Sequence, residues 1–200
     1  MSAITGLFFR DGRLAYSEEI KKMNDLLSHR GPDGSGLWYE GSIALGHQMM
    51  HTTPESLYEI LPFEHVNSDL VITADARIDN RNELAPLLGL KDVKSVSDST
   101  YILMAYKKWG EKCPDKLLGD FAFAIWDKKN ETLFCARDHM GVKPLYYFLS
   151  DSVFIFSTEI KALLGFPGVS NKLNELGVAF YLISIDLQHI IYTLMKLKPF

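Results

Sequence analysis

The sequence predicts an α+β fold of layered antiparallel sheets and helices, and three observations carry that prediction. Apolar runs of strand composition come in pairs around turn signals, as hairpins do. Helical patterns cluster between those pairs. Regular strand–helix–strand alternation, which a parallel sheet requires, is missing.

Ala3–Phe9 is a short apolar run that stops at the turn signal Arg10-Asp11-Gly12-Arg13, so a buried strand opens the chain and Ser2 stands at its tip. Ser17, followed by Glu18 and Glu19, caps a helix whose Ile20, Met23, Leu26 and Leu27 share one face, and Gly31-Pro32 closes it. The polar, Gly-rich loop Arg30–Gly36 leads to a hairpin of Leu37–Glu40 and Ile43–Met50 that turns at Gly41. Leu70–Ala74 has strand composition, and Asn80-Arg81-Asn82-Glu83 spells a capping box opening a helix to Leu87. Ser97-Asp98-Ser99-Thr100 caps another helix, with Ile102, Leu103, Tyr106 and Trp109 inward and Gly110 as the stop. Two further hairpins follow, Phe121–Trp126 with Thr132–Ala136 and Leu145–Leu149 with Val153–Ser157, before a closing helix over Glu159–Leu164.

At 200 residues, 47% of them apolar, the chain buries one sizeable core. We expect one domain over 1–166 and a tail over 167–200. The boundary near Pro167 marks a shift to the apolar stretch Val178–Ile185 and a basic, Pro-containing end. That stretch falls short of the ~20 apolar residues of a spanning helix, so it reads as interface or core, and no membrane association is expected. A net charge of −4 with scattered Lys and Arg argues against nucleic acid. Cys113 and Cys135 lack CxxC spacing and read as core thiols. Of the six histidines only His47 and His51 have HxxxH spacing, without a third ligand nearby, so no metal is expected. With no secretory pattern at its start, the chain reads as cytoplasmic.

A set of segments then appears in a specific order: Arg30-Gly31-Pro32-Asp33, Ala44-Leu45-Gly46-His47, Trp109-Gly110-Glu111, Gly119–Asp127, Ala136–Tyr147 and Ser157–Leu163. In that order they resemble the class II glutamine amidotransferase (glutaminase) domain of asparagine synthetases, over nearly the whole chain. The resemblance implies the N-terminal-nucleophile hydrolase fold, an αββα sandwich of two antiparallel sheets between helix layers. It also implies a chain start of Met-Cys-Gly-Ile, whose Cys attacks the glutamine amide once Met is removed. Here that nucleophile position holds Ser2, followed by Ala3. Serine serves as nucleophile in other members of the fold, although it is intrinsically weaker than a thiolate.

The other implied pocket positions have changed as well. The family's oxyanion-donating Asn-Gly pair falls on Asp75-Ala76, which sets a carboxylate where an amide donor is needed. Its Arg clamp for the substrate carboxylate falls on Met49. Asp98 matches the acid that holds the substrate α-amine, and it also reads simply as a helix-start acid. Ser2 reads first as a small residue that permits removal of Met1 and burial of a strand end, and Arg137, Asp138 and Lys143 read chiefly as scaffold.

Met-Ser-Ala-Ile, Ile72–Arg81 and Thr53-Pro54-Glu55-Ser56 are similar to the asparagine-synthetase-like cyclases of lasso-peptide biosynthesis. There an ATP-dependent domain adenylates a carboxylate and an amine of the precursor peptide attacks it. The Ser-Gly-Gly-x-Asp-Ser pyrophosphate loop of the synthetase half does not occur in this sequence. The resemblance therefore implies no cofactor in this chain, with ATP and Mg only in a partner synthetase-type domain, in cis or split. The end, Ile191–Phe200, resembles the opening of that half. Two functions stand: a scaffold domain without glutaminase activity, or a Ser-dependent amidohydrolase releasing ammonia from glutamine.

Overall fold

The structure, a computed structural model, describes residues 1–65, 68–90, 96–173, 175–182 and 198–199. The end of the apolar stretch and most of the segment resembling a synthetase opening lie outside the described residues. Strands and helices are numbered in chain order. One sheet holds β1 (Ala3–Phe9), β2 (Gly34–Glu40), β3 (Ile43–Met49), β8 (Tyr146–Leu149), β9 (Val153–Ser157) and β10 (Lys198–Pro199), in the order β10-β8-β9-β1-β3-β2. The other holds β4 (Phe63–Glu64), β5 (Leu70–Ile78), β6 (Gly119–Asp127) and β7 (Thr132–Arg137), in chain order. Every neighbouring pair is antiparallel, as the hairpin signals predicted.

The core falls into three layers, and the period of two along each strand decides which residue enters which. Ile4, Ile43, Leu45 and Phe156 of the first sheet meet Val71, Ala122, Ala124 and Trp126 of the second between the sheets. On the outer face of the first sheet, Ala3, Leu7, Phe9 and Ala44 pack under α1 (Ser17–Asp25) and α4 (Ile160–Leu164) through Ile20, Met23 and Leu163. On the outer face of the second, Leu70, Ile72, Phe121 and Phe123 pack under α2 (Arg81–Leu88) and α3 (Asp98–Trp109). The architecture is thus helix, sheet, sheet, helix. A further helix, α5 (Glu175–Leu182), follows Pro167.

Local expectations needed correction at four points. Ser17 is the first helical residue and does not cap α1; the Tyr16 N–H ahead of it donates to Glu19 Oε2 at 3.2 Å. Leu26 lies past the end of α1 and is 41% exposed, while Asn24 takes the buried position. The capping box at Asn80 does not form, because its side chain is drawn to the approach to β6: Nδ2 donates to Lys116 O at 3.0 Å and Oδ1 accepts from Leu118 N at 3.1 Å. The Gly-rich segment is strand from Gly34 onward, since β2 pairs with β3 as far as Gly34 opposite Met49. Ser97, by contrast, caps α3 as predicted, accepting from Thr100 N at 3.4 Å, and Gly110 ends it at φ 60°.

Gly119 starts β6 at φ +137°, and a Cβ there would lie 2.0 Å from Arg77 O of the paired strand. Backbone cannot yield as a side chain does. Gly119→Ala is expected to cost ~2–3 kcal/mol, read as a lower urea midpoint with unchanged slope.

Candidate active site

Strand parity assembles the site. Ser2 is in phase with Ile4, and so points between the sheets at the open end of β1. Met49 is in phase with Ile43, Leu45 and His47 on β3, and Asp75 with Val71 and Thr73 on β5. His47 and Thr73 meet across the gap, Nδ1 to Oγ1 at 3.3 Å. Because the Thr73 hydroxyl donates to Gly46 O at 3.2 Å, the network assigns the imidazole proton to Nδ1. The fully buried Nε2 then has no partner among the described residues, and burial lowers the pKa of His47 to about 3, so the ring is neutral.

One step further toward the open end, Ser2, Met49, Asp75, Ala76 and Asp98 all line one small cavity. Every site position expected from sequence therefore converges. The space open to a water-sized particle there is about 20 Å³. Two larger hollows, about 470 Å³ beside Phe166 and about 500 Å³ beside Cys135, contain none of these residues, whereas one of about 250 Å³ against Gly34–Gly36 and Leu61 shares Met49 and Glu59 with the small cavity.

The Ser2 hydroxyl is engaged by backbone. It accepts from Met50 N at 3.0 Å and donates to Met50 O at 3.3 Å, with Met49 Sδ at 4.0 Å. Its strand tip is held by Thr158, whose Oγ1 accepts from Ile4 N at 2.8 Å and whose N–H donates to Ile4 O at 2.9 Å.

Asp75 is paired with Lys143, Nζ to Oδ1 at 2.8 Å, with side chains only 6% and 10% exposed. The loop after β7 delivers that lysine. Asp138 accepts from the N–H groups of Val142 at 2.9 Å and Lys143 at 3.0 Å, folding the segment back so that Nζ reaches β5. Burial raises the Asp75 pKa and Lys143 offsets it only in part. Asp98 is likewise paired from within: Arg81 Nη1 lies 3.0 Å from its Oδ1 and 3.8 Å from Glu55 Oε2, and Arg81 also donates to Val96 O. Burial outweighs Arg81 and pushes Asp98 up to about 6. Burial also raises Glu59, whose Oε1 accepts from Ser99 N at 3.2 Å.

The Arg30–Asp33 loop braces the same end. Asp33 Oδ2 accepts from His51 N at 2.8 Å, while Arg30 and His29 both bind Glu159 Oε1 and Lys161 lies 3.2 Å from Oε2. Although burial opposes it, those donors hold the Glu159 carboxyl down at about 2.

Residues 1–199 match the family described as glutamine amidotransferase domain. The chain belongs to that family. Asparagine synthetase 3 (glutamine-hydrolysing) of Bacillus subtilis is 33% identical over 183 residues, which is 90% of this chain and 30% of the relative. A putative asparagine synthetase 2 of Methanocaldococcus jannaschii is 35% identical over 191 residues, 87% of this chain and 37% of the relative. This amidotransferase domain thus spans about a third of the length of these relatives. Among solved structures, the glutamine phosphoribosylpyrophosphate amidotransferase of B. subtilis superposes with a TM-score of 0.64 at 18% identity, covering 80% of this chain and 42% of that one. The fold is the N-terminal-nucleophile sandwich, in agreement with the layers described above.

Sequence reasoning missed two residues that back this candidate site. Lys143 read as scaffold and Arg81 as part of a helix start, yet each supplies the buried cation for a pocket carboxylate. The available signal was Asp75 itself, since an acid on a buried strand requires a positive partner. Among the described residues, no three His, Cys, Asp or Glu side chains are placed to hold a metal ion, and no helix is long and apolar enough to cross a membrane.

The raised carboxyl sets a pH dependence for the amidotransferase domain. Asp98, near 6 against an ordinary 3.8, holds its proton more tightly folded than unfolded. Its contribution is fully present below pH 4 and is lost as pH rises through about 6, a loss of ~3 kcal/mol. Glu159 acts oppositely, with stability present above its ordinary 4.5 and lost as pH falls toward 2. Thermal midpoints are therefore expected to fall between about pH 4.5 and 6.5, and Asp98→Asn to flatten that decline.

Proposed function

We propose that this amidotransferase domain no longer hydrolyses glutamine and serves as a scaffold for an ATP-dependent, amide-forming domain of the asparagine synthetase type, in cis or as a separate chain. One observation supports this above the others: the positions that would recognise substrate are satisfied from within the protein. Lys143 occupies Asp75 and Arg81 occupies Asp98, and about 20 Å³ remains between them. A water needs ~10–15 Å³ by the same measure, so the space between the two carboxylates suits one small particle.

The chemistry points the same way. An oxyanion forming beside Ser2 would meet the carboxylate of Asp75 where a donor is required, and the lost donor alone is worth ~3 kcal/mol of barrier. The substrate carboxylate would meet the thioether of Met49. Such a domain suits a reaction whose nucleophile is not ammonia, and an amine of a precursor peptide attacking an acyl adenylate, as in lasso-peptide cyclases, is the acceptor we favour. ATP and Mg belong to the partner domain in this reading.

Intact mass shows whether Met1 is removed and the Ser2 amine freed. Glutamate and ammonia release from glutamine is then expected at equal background rates for the wild type and Ser2→Ala. A wild-type rate that Ser2→Ala abolishes would establish the Ser-dependent amidohydrolase instead.

A further inference from the structure

We infer that the outer edge of β2 and the hollow beside its first residues bind an extended peptide, which adds to the sheet as a further strand and seats one large apolar side chain against Gly34 and Gly36. The edge is open. β2 stands last in its sheet and, among the described residues, pairs only with β3. The hairpin between them closes with Glu40 opposite Ile43, while Ser42 O accepts from Phe9 N of β1. Residues of β3 thus serve β1 and β2 in turn, and Gly34, Gly36, Trp38 and Glu40 are the ones that bond β3. Ser35, Leu37 and Tyr39 therefore aim their N–H and C=O groups outward, and none of those groups has a hydrogen-bond partner among the described residues. Natural edges are commonly blunted by Lys or Pro; β2 carries neither, and its Leu37 and Tyr39 are 37% and 53% exposed.

The hollow supplies the second observation. Even-numbered residues of β2 face the layer between the sheets, where Trp38 packs, and a strand laid beside β2 sends alternate side chains to that same face. Gly34 and Gly36 leave the position beside them empty. Next to them lies the hollow of about 250 Å³, walled by Leu57, Ile60 and Leu61. Leu57 and Ile60 are 64% and 83% exposed, so two large apolar side chains stand in water at this wall. Gly36 has a packing reason, since a Cβ there would lie 2.0 Å from Leu61 O, but a Cβ at Gly34 would meet only Met49 Cβ at 3.7 Å. The chain's own packing does not require that missing side chain. Main-chain bonding along an edge, with a pocket for one side chain, is how sheets take peptides. Asp33 and Glu59 also line the hollow and disfavour an acidic occupant. That argues against a second copy of this chain, because β2 paired antiparallel with itself about Leu37 would bring Glu40 of the second copy opposite Gly34.

The peptide site is independent of whether glutamine is hydrolysed. Its test uses the 200-residue chain, isotope-labelled for NMR, and acetylated peptides of the length of β2 that alternate threonine and valine around one central residue: leucine, phenylalanine, aspartate or glycine. The leucine and phenylalanine peptides are expected to bind about 10-fold tighter than the other two and to slow exchange of the Leu37 and Tyr39 amides. Methylating alternate backbone nitrogens of the leucine peptide along its bonding edge should abolish binding. Leu37→Pro, which removes an outward N–H and no bond to β3, should do the same with the hairpin intact. Gly34→Val fills the floor of the hollow and should cost the leucine peptide its advantage over the glycine peptide. No binding at about 1 mM peptide, an affinity unchanged by N-methylation or in both variants, or protection confined to other amides would overturn the site. Leu37 and Tyr39 amides already protected in the free protein, together with the mass of a dimer in solution, would give the edge to a second copy and overturn it as well.

Discussion

Lys143→Met is expected to lower the unfolding free energy by about 3–5 kcal/mol, the usual cost of removing one partner from a buried ion pair. The Asp75 carboxylate, 6% exposed, would keep its charge or take a proton, and in either state lose the group at 2.8 Å that offsets its burial. Asp75→Asn should be costly for the converse reason, leaving the Lys143 ammonium buried beside an amide. The double variant Lys143→Met with Asp75→Asn is expected to recover most of the loss, because no unpaired charge remains. Chemical denaturation of the four proteins closes the cycle. A double variant as unstable as the sum of the singles would mean that the two side chains contribute separately and that the pair is not a unit.

The same cycle governs any attempt to rebuild a glutaminase. Ser2→Cys, Met49→Arg, Asp75→Asn and Ala76→Gly together restore the positions that the family resemblance implies, but in this structure the third change strands Lys143. We expect that four-fold variant to be poorly stable, and the five-fold variant that adds Lys143→Met to fold and to release glutamate from glutamine at least ~100-fold faster than the wild type. A single oxyanion donor alone is worth that much. Removal of Met1 has to be confirmed by mass, since the nucleophile needs its free amine. A folded, processed five-fold variant no faster than the wild type would count against the assignment of these positions.

Much of the fold was legible because strand pairs announce themselves locally. Phe121–Trp126 with Thr132–Ala136 and Val153–Ser157 with Leu145–Leu149 carry both their apolar pattern and their turns within a few residues. Ser97 and Gly110 mark the ends of α3 by backbone chemistry that depends on nothing distant. Asn80 shows the limit: its cap sequence is sound, but the side chain bonds Lys116 and Leu118, more than thirty residues on, and tertiary partners outrank local ones. The site followed the same division. Ser2, Met49, Asp75 and Asp98 were found by their order along the chain, whereas the Lys143–Asp75 pair spans 68 residues and depends on how the loop after β7 folds back.

The His47–Thr73 contact carries a consequence for how the two sheets are set against each other. Most of the layer between them is apolar and close-packed, and a polar contact within it adds a directional requirement that apolar contacts lack. A shift of β5 by two residues, ~7 Å along the strand, would preserve its inward parity but bring His47 opposite Val71 or Asp75, leaving an imidazole against an isopropyl group or a carboxylate. One hydroxyl facing one neutral ring therefore adds a polar constraint to the offset that the interlocking side chains between the sheets already favour. With that offset the tip of β1 comes to rest beside Asp75.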